Sequence, residues 1–436
     1  MDDINFSKNK AGNLRKKEKY QEAVELYETI WEDHKDICNE WDGWNYAFSL
    51  RKIRDSENAY RVSEEVLQQW PNFEPNHSLL SWCIYDKSIN RVNREIKQNE
   101  AAFFNSVNRI MGLAIPNIFS PFIRTIFKVV DYLEESRTTY PAESINNWLE
   151  KLDPSDLSLD TWQGKDQRGK SMEHASDRER WYSKKTKALY SFGKFQECID
   201  TGEKAIKEIP VFHYQNDKWI KRLIALSLGE LKKPEEGITW LDQIMDDKAE
   251  WFLYYDKASL LNKIGDMHEA LKFASFAALD RKEISYKCNV FLLMGKILLN
   301  KEELDLANQH LLLAAKIRLE NEWSISDELQ GFVDQTGISI LELKPTKDLV
   351  KDLRNYWQSL RFAGMDTAAG TIKNIVKSGK SGFISGEDGE EYYFKIANFQ
   401  GNPKLLNSGI RVTFFIQKND QNGKLDTALE IKIDQH

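Results

Sequence analysis

Acid–base chemistry needs a carboxylate and an imidazole held together, and the polar stretch QGKDQRGKSMEHASDRER (163–180) holds one such neighbourhood, Glu173 beside His174. No neighbouring residue in the sequence pairs with either, so both read as solvated residues of an exposed loop. SGEDGEE (385–391) is acidic and turn-rich, but it lacks the alternating oxygen ligands and terminal Glu of a calcium loop and reads as a strand connection. Cys38, Cys83, Cys198 and Cys288 lie far apart with no CxxC pair, which argues against a zinc ribbon or a disulfide framework and points to reduced thiols. The sequence contains no GxxxxGK[ST], GxGxxG, HExxH or GxSxG. The expectation is a non-enzyme with no catalytic residue, no metal and no cofactor.

The elements that would position any site come next. The chain has 436 residues, long enough for two to four domains, and its 41 % hydrophobic and 30 % charged content suits a globular protein. A net charge of −7 argues against non-specific coating of DNA. The start MDDINFSKNK is acidic and polar, unlike a signal peptide. The most apolar tract, 110–130, contains Pro116, Pro121 and Arg124 and reads as a buried helix pair, not a membrane span. The expected location is the cytoplasm; the oligomeric state is left open.

An internal repeat organises the helical part. Ala258, Gly265, Ala270 and Ala277 are spaced seven, five and seven apart. Gly295, Glu302, Ala307 and Ala314 repeat that spacing, as do Thr186, Gly193, Cys198 and Ala205. Further copies are Ala225, Lys232, Gly237 and Ile244; Ala11, Glu18, Ala23 and Ile30; and Ala47, Arg54, Ala59 and Val66. Small residues allow two antiparallel helices to cross closely. Gly193 and Gly265 are placed to close the turn in a left-handed conformation. The pattern resembles the tetratricopeptide repeat over 4–37, 40–73, 179–210, 218–249 and 251–318. The resemblance implies a mainly α-helical superhelix of helical hairpins and says little of function.

Projecting the first helix of each hairpin in 179–318 puts Arg180, Lys187, Tyr190, Trp219, Arg222, Tyr255, Asn262, Lys263, Asn289 and Lys296 on the concave side. Such a set suits a protein partner, in particular an acidic peptide or a C-terminal carboxylate held by Asn and Lys donors. The alternatives are a solvated helix face or a nucleic-acid path. Of the thirteen tryptophans, Trp181 and Trp219 are the candidates for exposure.

From residue 370 the pattern changes to strand and turn: GTIKNIVKSG, KSGFISGEDG, EEYYFKIANF, GIRVTFFIQKND and KLDTALEIKID. Five short β segments predict a small barrel. Gly370, Ile372 and Lys373, then GKSGFI (379–384), YYF (392–394) and LNSGIRVTFFI (406–416), resemble a cold-shock domain, an oligonucleotide-binding fold. The tail departs from that family where Asn374 and Ile375 replace the usual Trp and Phe, Ser381 replaces the first aromatic of the second strand, and Tyr393 and Lys395 stand for Phe and His. The resemblance implies that Lys373, Lys377, Lys380, Phe383, Tyr393 and Lys395 bind single-stranded RNA or DNA. With fewer rings, binding is expected to be weak, salt-sensitive and carried mostly by backbone phosphates.

The expected order is N-terminal hairpins (1–73), a divergent helical segment ending in the polar loop (74–176), repeats (177–318), capping helices (319–366) and a cold-shock-like barrel (367–436). The functional expectation is a non-catalytic adaptor: the superhelix grips a protein partner and the barrel binds single-stranded nucleic acid. The alternatives are a pure protein–protein scaffold with a non-binding barrel, and an accessory or recognition subunit of a multi-gene bacterial system such as phage defence.

Overall fold

The computed structural model describes residues 2–115, 120–165, 168–245, 249–419 and 424–434. Residues 116–119 of the apolar tract and 166–167 of the polar stretch lie outside them. The chain divides into two compact units, Met1–Ile244 and Met245–His436.

The first unit begins with two hairpins, α1 (Asp2–Lys16) with α2 (Tyr20–Asp33) and α3 (Glu40–Lys52) with α4 (Ser56–Gln69). Five further helices follow: α5 (Glu74–Ile84), α6 (Asn93–Gln98), α7 (Glu100–Leu113), α8 (Phe122–Ser136) and α9 (Ala142–Leu149). A short β-hairpin, β1 (Trp162–Lys165) and β2 (Ser171–His174), precedes two more helical hairpins. These are α10 (Asp177–Ser191) with α11 (Phe195–Glu208), and α12 (Asn216–Glu230) with α13 (Pro234–Asp242). The stretch expected to be one loop is therefore a hairpin and a helix start. Ser176 caps α10 by accepting from the Glu179 amide, and the buried Glu179 side chain anchors that helix to the 213–216 turn.

The second unit opens with hairpins α14 (Trp251–Lys263) with α15 (Met267–Leu279) and α16 (Cys288–Asn300) with α17 (Leu304–Glu320). Then come α18 (Asp327–Thr336) and α19 (Thr346–Arg361), followed by a closed barrel of β3 (Thr367–Ile375), β4 (Ser381–Gly386), β5 (Glu391–Lys395), β6 (Arg411–Gln417) and β7 (Thr427–Ile433). Around the barrel the order is β3-β4-β5-β7-β6, and β3 closes onto β6. The fold is thus mainly α, with tetratricopeptide-like helical hairpins and a small C-terminal five-stranded barrel.

The repeat has a backbone signature that composition hides. The second position of every copy, Glu18, Arg54, Gly193, Lys232, Gly265 and Glu302, is left-handed, with φ between 60° and 85°. Four of the six are not glycine. The turn geometry is therefore imposed by helix packing, against a left-handed cost of about 1–2 kcal/mol for a residue with a Cβ. The small positions do what close crossing demands. Ala11, Ala47, Ala225, Ala258, Ala307 and Ala314 are fully buried, and a Cβ on Gly295 would sit 2.6 Å from the Leu311 side chain.

Helix α19 packs on α15 and α17 and covers the repeat end of its unit. Its anchor is Trp357, buried and stacked on Phe291 at 5.1 Å. The barrel has its own core of Ile372, Ile384, Tyr392, Phe394, Val412, Phe414 and Ile431, on the strand positions that alternate inward.

Candidate nucleic-acid interface

Strand register decides what the barrel shows to the outside. Asn374 pairs with Phe383, and Phe383 pairs with Tyr393, so the three form one row across β3, β4 and β5. The neighbouring row of Ile372, Ile384 and Tyr392 points into the core. Phe383 and Tyr393 are half-buried and meet edge to face at 5.9 Å. Ser381 and Lys395 lie opposite one another on the next outward row.

Three of the six expected residues, Lys380, Tyr393 and Lys395, line one open cleft of about 690 Å³. Gly379, Ser381, Ile396, Ala397, Phe399, Gly401 and Pro403 complete its barrel side. Its further cation is Arg281, from the connection between α15 and α16, whose guanidinium donates to the Ala397 carbonyl. Among the described residues no carboxylate lines the cleft. Phe383 stands beside Tyr393 outside the lining. Lys373 donates to Glu391 at 3.1 Å and is partly neutralised, and Lys377 is exposed in the β3–β4 turn. Arg281 carries no sequence signal, because it lies about a hundred positions before the strands it faces.

Helix α19 meets the barrel on a different side from the ring row. Among the described residues the bonds and ring contact between them fall on Gln400, Phe415 and Glu430. Arg354 donates to Gln400 at 3.0 Å, Gln358 donates to Glu430, and Phe362 stacks on Phe415 at 4.4 Å. Glu430 takes a left-handed conformation within β7 (φ 49°) and is buried, and burial pushes its carboxyl above the usual carboxylate range.

The expected partner-groove residues fall in both units. In the first, Arg180 pairs with Asp131 and lies over the Phe127 ring, and Lys187 pairs with Glu134 at 3.0 Å. Lys184 joins the same acids, and these lysines hold the Glu134 carboxyl below its usual range against the opposing effect of burial. Tyr190 packs on Phe195, and Trp219 is 41 % exposed with Arg222 over its ring. In the second unit Tyr255 and Asn262 are half-buried, Lys263 and Asn289 exposed, and Lys296 donates to Glu328 at 2.7 Å. Three of the expected cations are thus already engaged by carboxylates of this chain. Trp181, expected as a candidate for exposure, is instead buried, its indole donating to the Leu149 carbonyl at 3.0 Å.

The polar stretch also acquires partners that lie far away in sequence. His174 stacks on Trp162 at 3.8 Å, and the Tyr214 hydroxyl lies 2.6 Å from His174 Nδ1. Gly164 permits this, since a Cβ there would meet His174 Nε2 at 2.3 Å. Tyr214 and Gln215 are both left-handed, and the buried Glu179 carboxylate accepts from the His213 amide at 2.7 Å and from the Asn216 side chain at 2.8 Å. Glu173 accepts from the Thr161 hydroxyl. The reading of Glu173 and His174 as residues without partners is therefore corrected, while Glu173 stays exposed as expected.

No family model and no curated protein matches this sequence. Solved structures with similar helical parts include the TPR2AB domain–pHSP90 complex of yeast Sti1, at 15 % identity, covering 67 % of this chain and 98 % of that one, TM-score 0.24. A tetratricopeptide repeat protein from Parabacteroides merdae shares 11 % identity over 78 % of this chain and 100 % of that one, TM-score 0.28. The human IFIT1 dimer with m7Gppp-AAAA shares 13 % identity over 81 % of this chain and 75 % of that one, TM-score 0.36. At these scores the likeness assigns nothing to the site, and the fold class rests on the hairpins and the barrel themselves.

Proposed function

We propose that the protein is a non-catalytic adaptor, with helical hairpins that hold a protein partner and a cold-shock-like barrel that binds single-stranded nucleic acid. The observation that carries the reading is the cleft in which Arg281, Lys380 and Lys395 converge beside Tyr393 and Phe399, with no carboxylate among the described residues of its lining, in a chain of net charge −7. Three cations track phosphates, and Tyr393 offers a ring for one base. The five-stranded closed barrel with its β3–β6 closure supports the oligonucleotide-binding identity. No described helix is long and apolar enough to cross a membrane. The four cysteines are buried and unpaired, in keeping with a cytoplasmic setting.

The test is fluorescence anisotropy of labelled single-stranded RNA and DNA against the full chain. Three phosphate contacts give a slope of about −2 in log affinity against log salt, or a roughly twenty-fold loss between 50 and 200 mM. Lys380→Glu with Lys395→Glu should abolish binding, and Tyr393→Ala should weaken it between about five-fold and a hundred-fold. Unchanged binding by the double variant would remove the cleft from the reading. A second reading, a protein–protein scaffold whose barrel binds no nucleic acid, is favoured by the half-burial of Phe383 and Tyr393 against each other. Absence of binding at low salt would select it.

A further inference from the structure

The open cleft adjoins a second pocket. Arg281, Ala397 and Phe399 line both. This pocket, about 440 Å³, is built by Leu279, Asp280 and Arg281 from the helical part, Arg354 and Arg361 of α19 with Phe362 just after it, and barrel residues 397–400 and 429–430. Three guanidinium groups converge here against two carboxylates, Asp280 and Glu430. Asp280 already accepts from the Lys282 amide, Glu430 accepts from Gln358 and lies 4.0 Å from the Arg354 guanidinium, and Arg354 also donates to Gln400.

Arg361 is the unusual member. Its guanidinium lies between the rings of Phe276 and Phe362, at 4.8 and 5.2 Å, and its Nε is buried with no hydrogen-bond partner. A buried donor left unpaired is costly, so this Nε calls for an explanation, although the Arg361 side chain as a whole is half-buried. Glu430, the carboxylate opposite, is held in a left-handed backbone that β7 would not otherwise adopt. Guanidinium groups recognise planar faces of phosphate oxygens with paired N–H bonds, and three of them around one pocket can address several oxygens of a single phosphate group. A phosphate monoester carries nearly two negative charges at neutral pH and three acceptor oxygens. A phosphodiester inside a strand carries one charge and has chain on both sides, which suits the more open cleft.

We propose that this arginine cavity takes the terminal phosphate monoester of a single-stranded nucleic acid whose chain lies along the adjoining cleft. The proposal rests on the nucleic-acid reading of that cleft. It makes the barrel and the helical cap one site: Lys380, Lys395 and Tyr393 hold the strand, and Arg281, Arg354 and Arg361 hold its end.

The experiment compares oligonucleotides of one sequence carrying a 5′-phosphate, a 3′-phosphate or only hydroxyl ends, each labelled at the opposite end, by anisotropy with the full chain. One phosphorylated end should bind about ten-fold tighter than the hydroxyl form. Arg361→Gln should erase that preference, so that within this variant the phosphorylated and hydroxyl-ended forms bind equally, and Lys380→Ala should lower all forms by the same factor. Arg354→Gln serves as a second variant, with circular dichroism melting to show that each is folded. Inorganic phosphate and a nucleoside monophosphate, added as competitors, should remove the preference in the wild type. Equal binding of all three oligonucleotides, still dependent on Lys380, would overturn the terminal-phosphate assignment and leave the cleft reading standing. No binding of any oligonucleotide would overturn both, and retention by Arg361→Gln and Arg354→Gln of the full preference would place the end elsewhere.

Discussion

His310 lies in the middle of α17 with both ring nitrogens committed. Nδ1 lies 2.7 Å from the Leu306 carbonyl and must donate to it, so Nε2 carries no proton and accepts from the Trp357 indole at 2.8 Å. The ring is fully buried, and its other close neighbour, Tyr356, packs edge-on at 5.8 Å with a hydroxyl that burial pushes up to about 12. Protonating His310 would bury a charge and set an N–H against the indole N–H. Burial accordingly pushes its pKa down to about 4 from an ordinary 6.5. The unfolded chain takes up this proton as pH falls below 6.5 and the folded chain refuses it until about pH 4. The contribution to stability is therefore whole above that window and lost as pH falls through it. The full loss is about 3 kcal/mol, and about 2 kcal/mol is gone by pH 5. Because Trp357 anchors the helix that carries Arg354 and Arg361 to the barrel, acid should loosen this helix first. Hydrogen exchange of residues 346–361, corrected for the intrinsic rate, should show faster opening at pH 5 than at pH 7. In His310→Gln, whose side chain still offers Trp357 an acceptor but cannot titrate, the loosening by acid should be lost, leaving only the opposite effect of the raised Glu430 carboxyl that Gln358 bonds. An NMR titration that found the His310 ring protonating above pH 6, or equal pH dependence in both proteins, would refute the reasoning.

Gly382→Ala should destabilise the barrel by roughly 1–3 kcal/mol, an overpacking cost, because the new Cβ would lie 2.5 Å from the Asn374 carbonyl oxygen and 2.7 Å from the Phe394 ring. Denaturant melts of the full chain with proteolysis of the tail would read it, and a wild-type midpoint would contradict the close approach. Gly265→Ala, where a Cβ meets nothing within 4 Å but φ is 85°, should cost about 1 kcal/mol from backbone alone. Gly265→Asn should cost less than Gly265→Ala, since Asn tolerates the left-handed region; the reverse ranking in a thermal melt would show that the turn is not the source.

The helical hairpins were legible because their determinants are local and periodic. A small residue where axes cross, seven positions before a turn that is itself five before the next small residue, marks a hairpin with no knowledge of its neighbours. The strands were legible for the same reason, as alternation between Ile372, Ile384 or Tyr392 and outward residues repeats every second position. Composition concealed the turn geometry at Glu18, Arg54, Lys232 and Glu302, where packing overrides local preference. It also concealed the hairpin at 162–174, whose strands are four residues each and too short for periodicity to register.

What the sequence by itself determined, then, is the set of elements and the face each would bury, because period and side-chain size act within a few residues. Only the tertiary structure decided which distant groups meet. Arg281 joins Lys380 and Lys395, Arg361 comes to rest opposite Glu430, and Tyr214 reaches His174, through chain paths that no residue type announces. Electrostatic and hydrogen-bonding partners are chosen by the packing of whole elements, and the charge of a site is a property of that assembly.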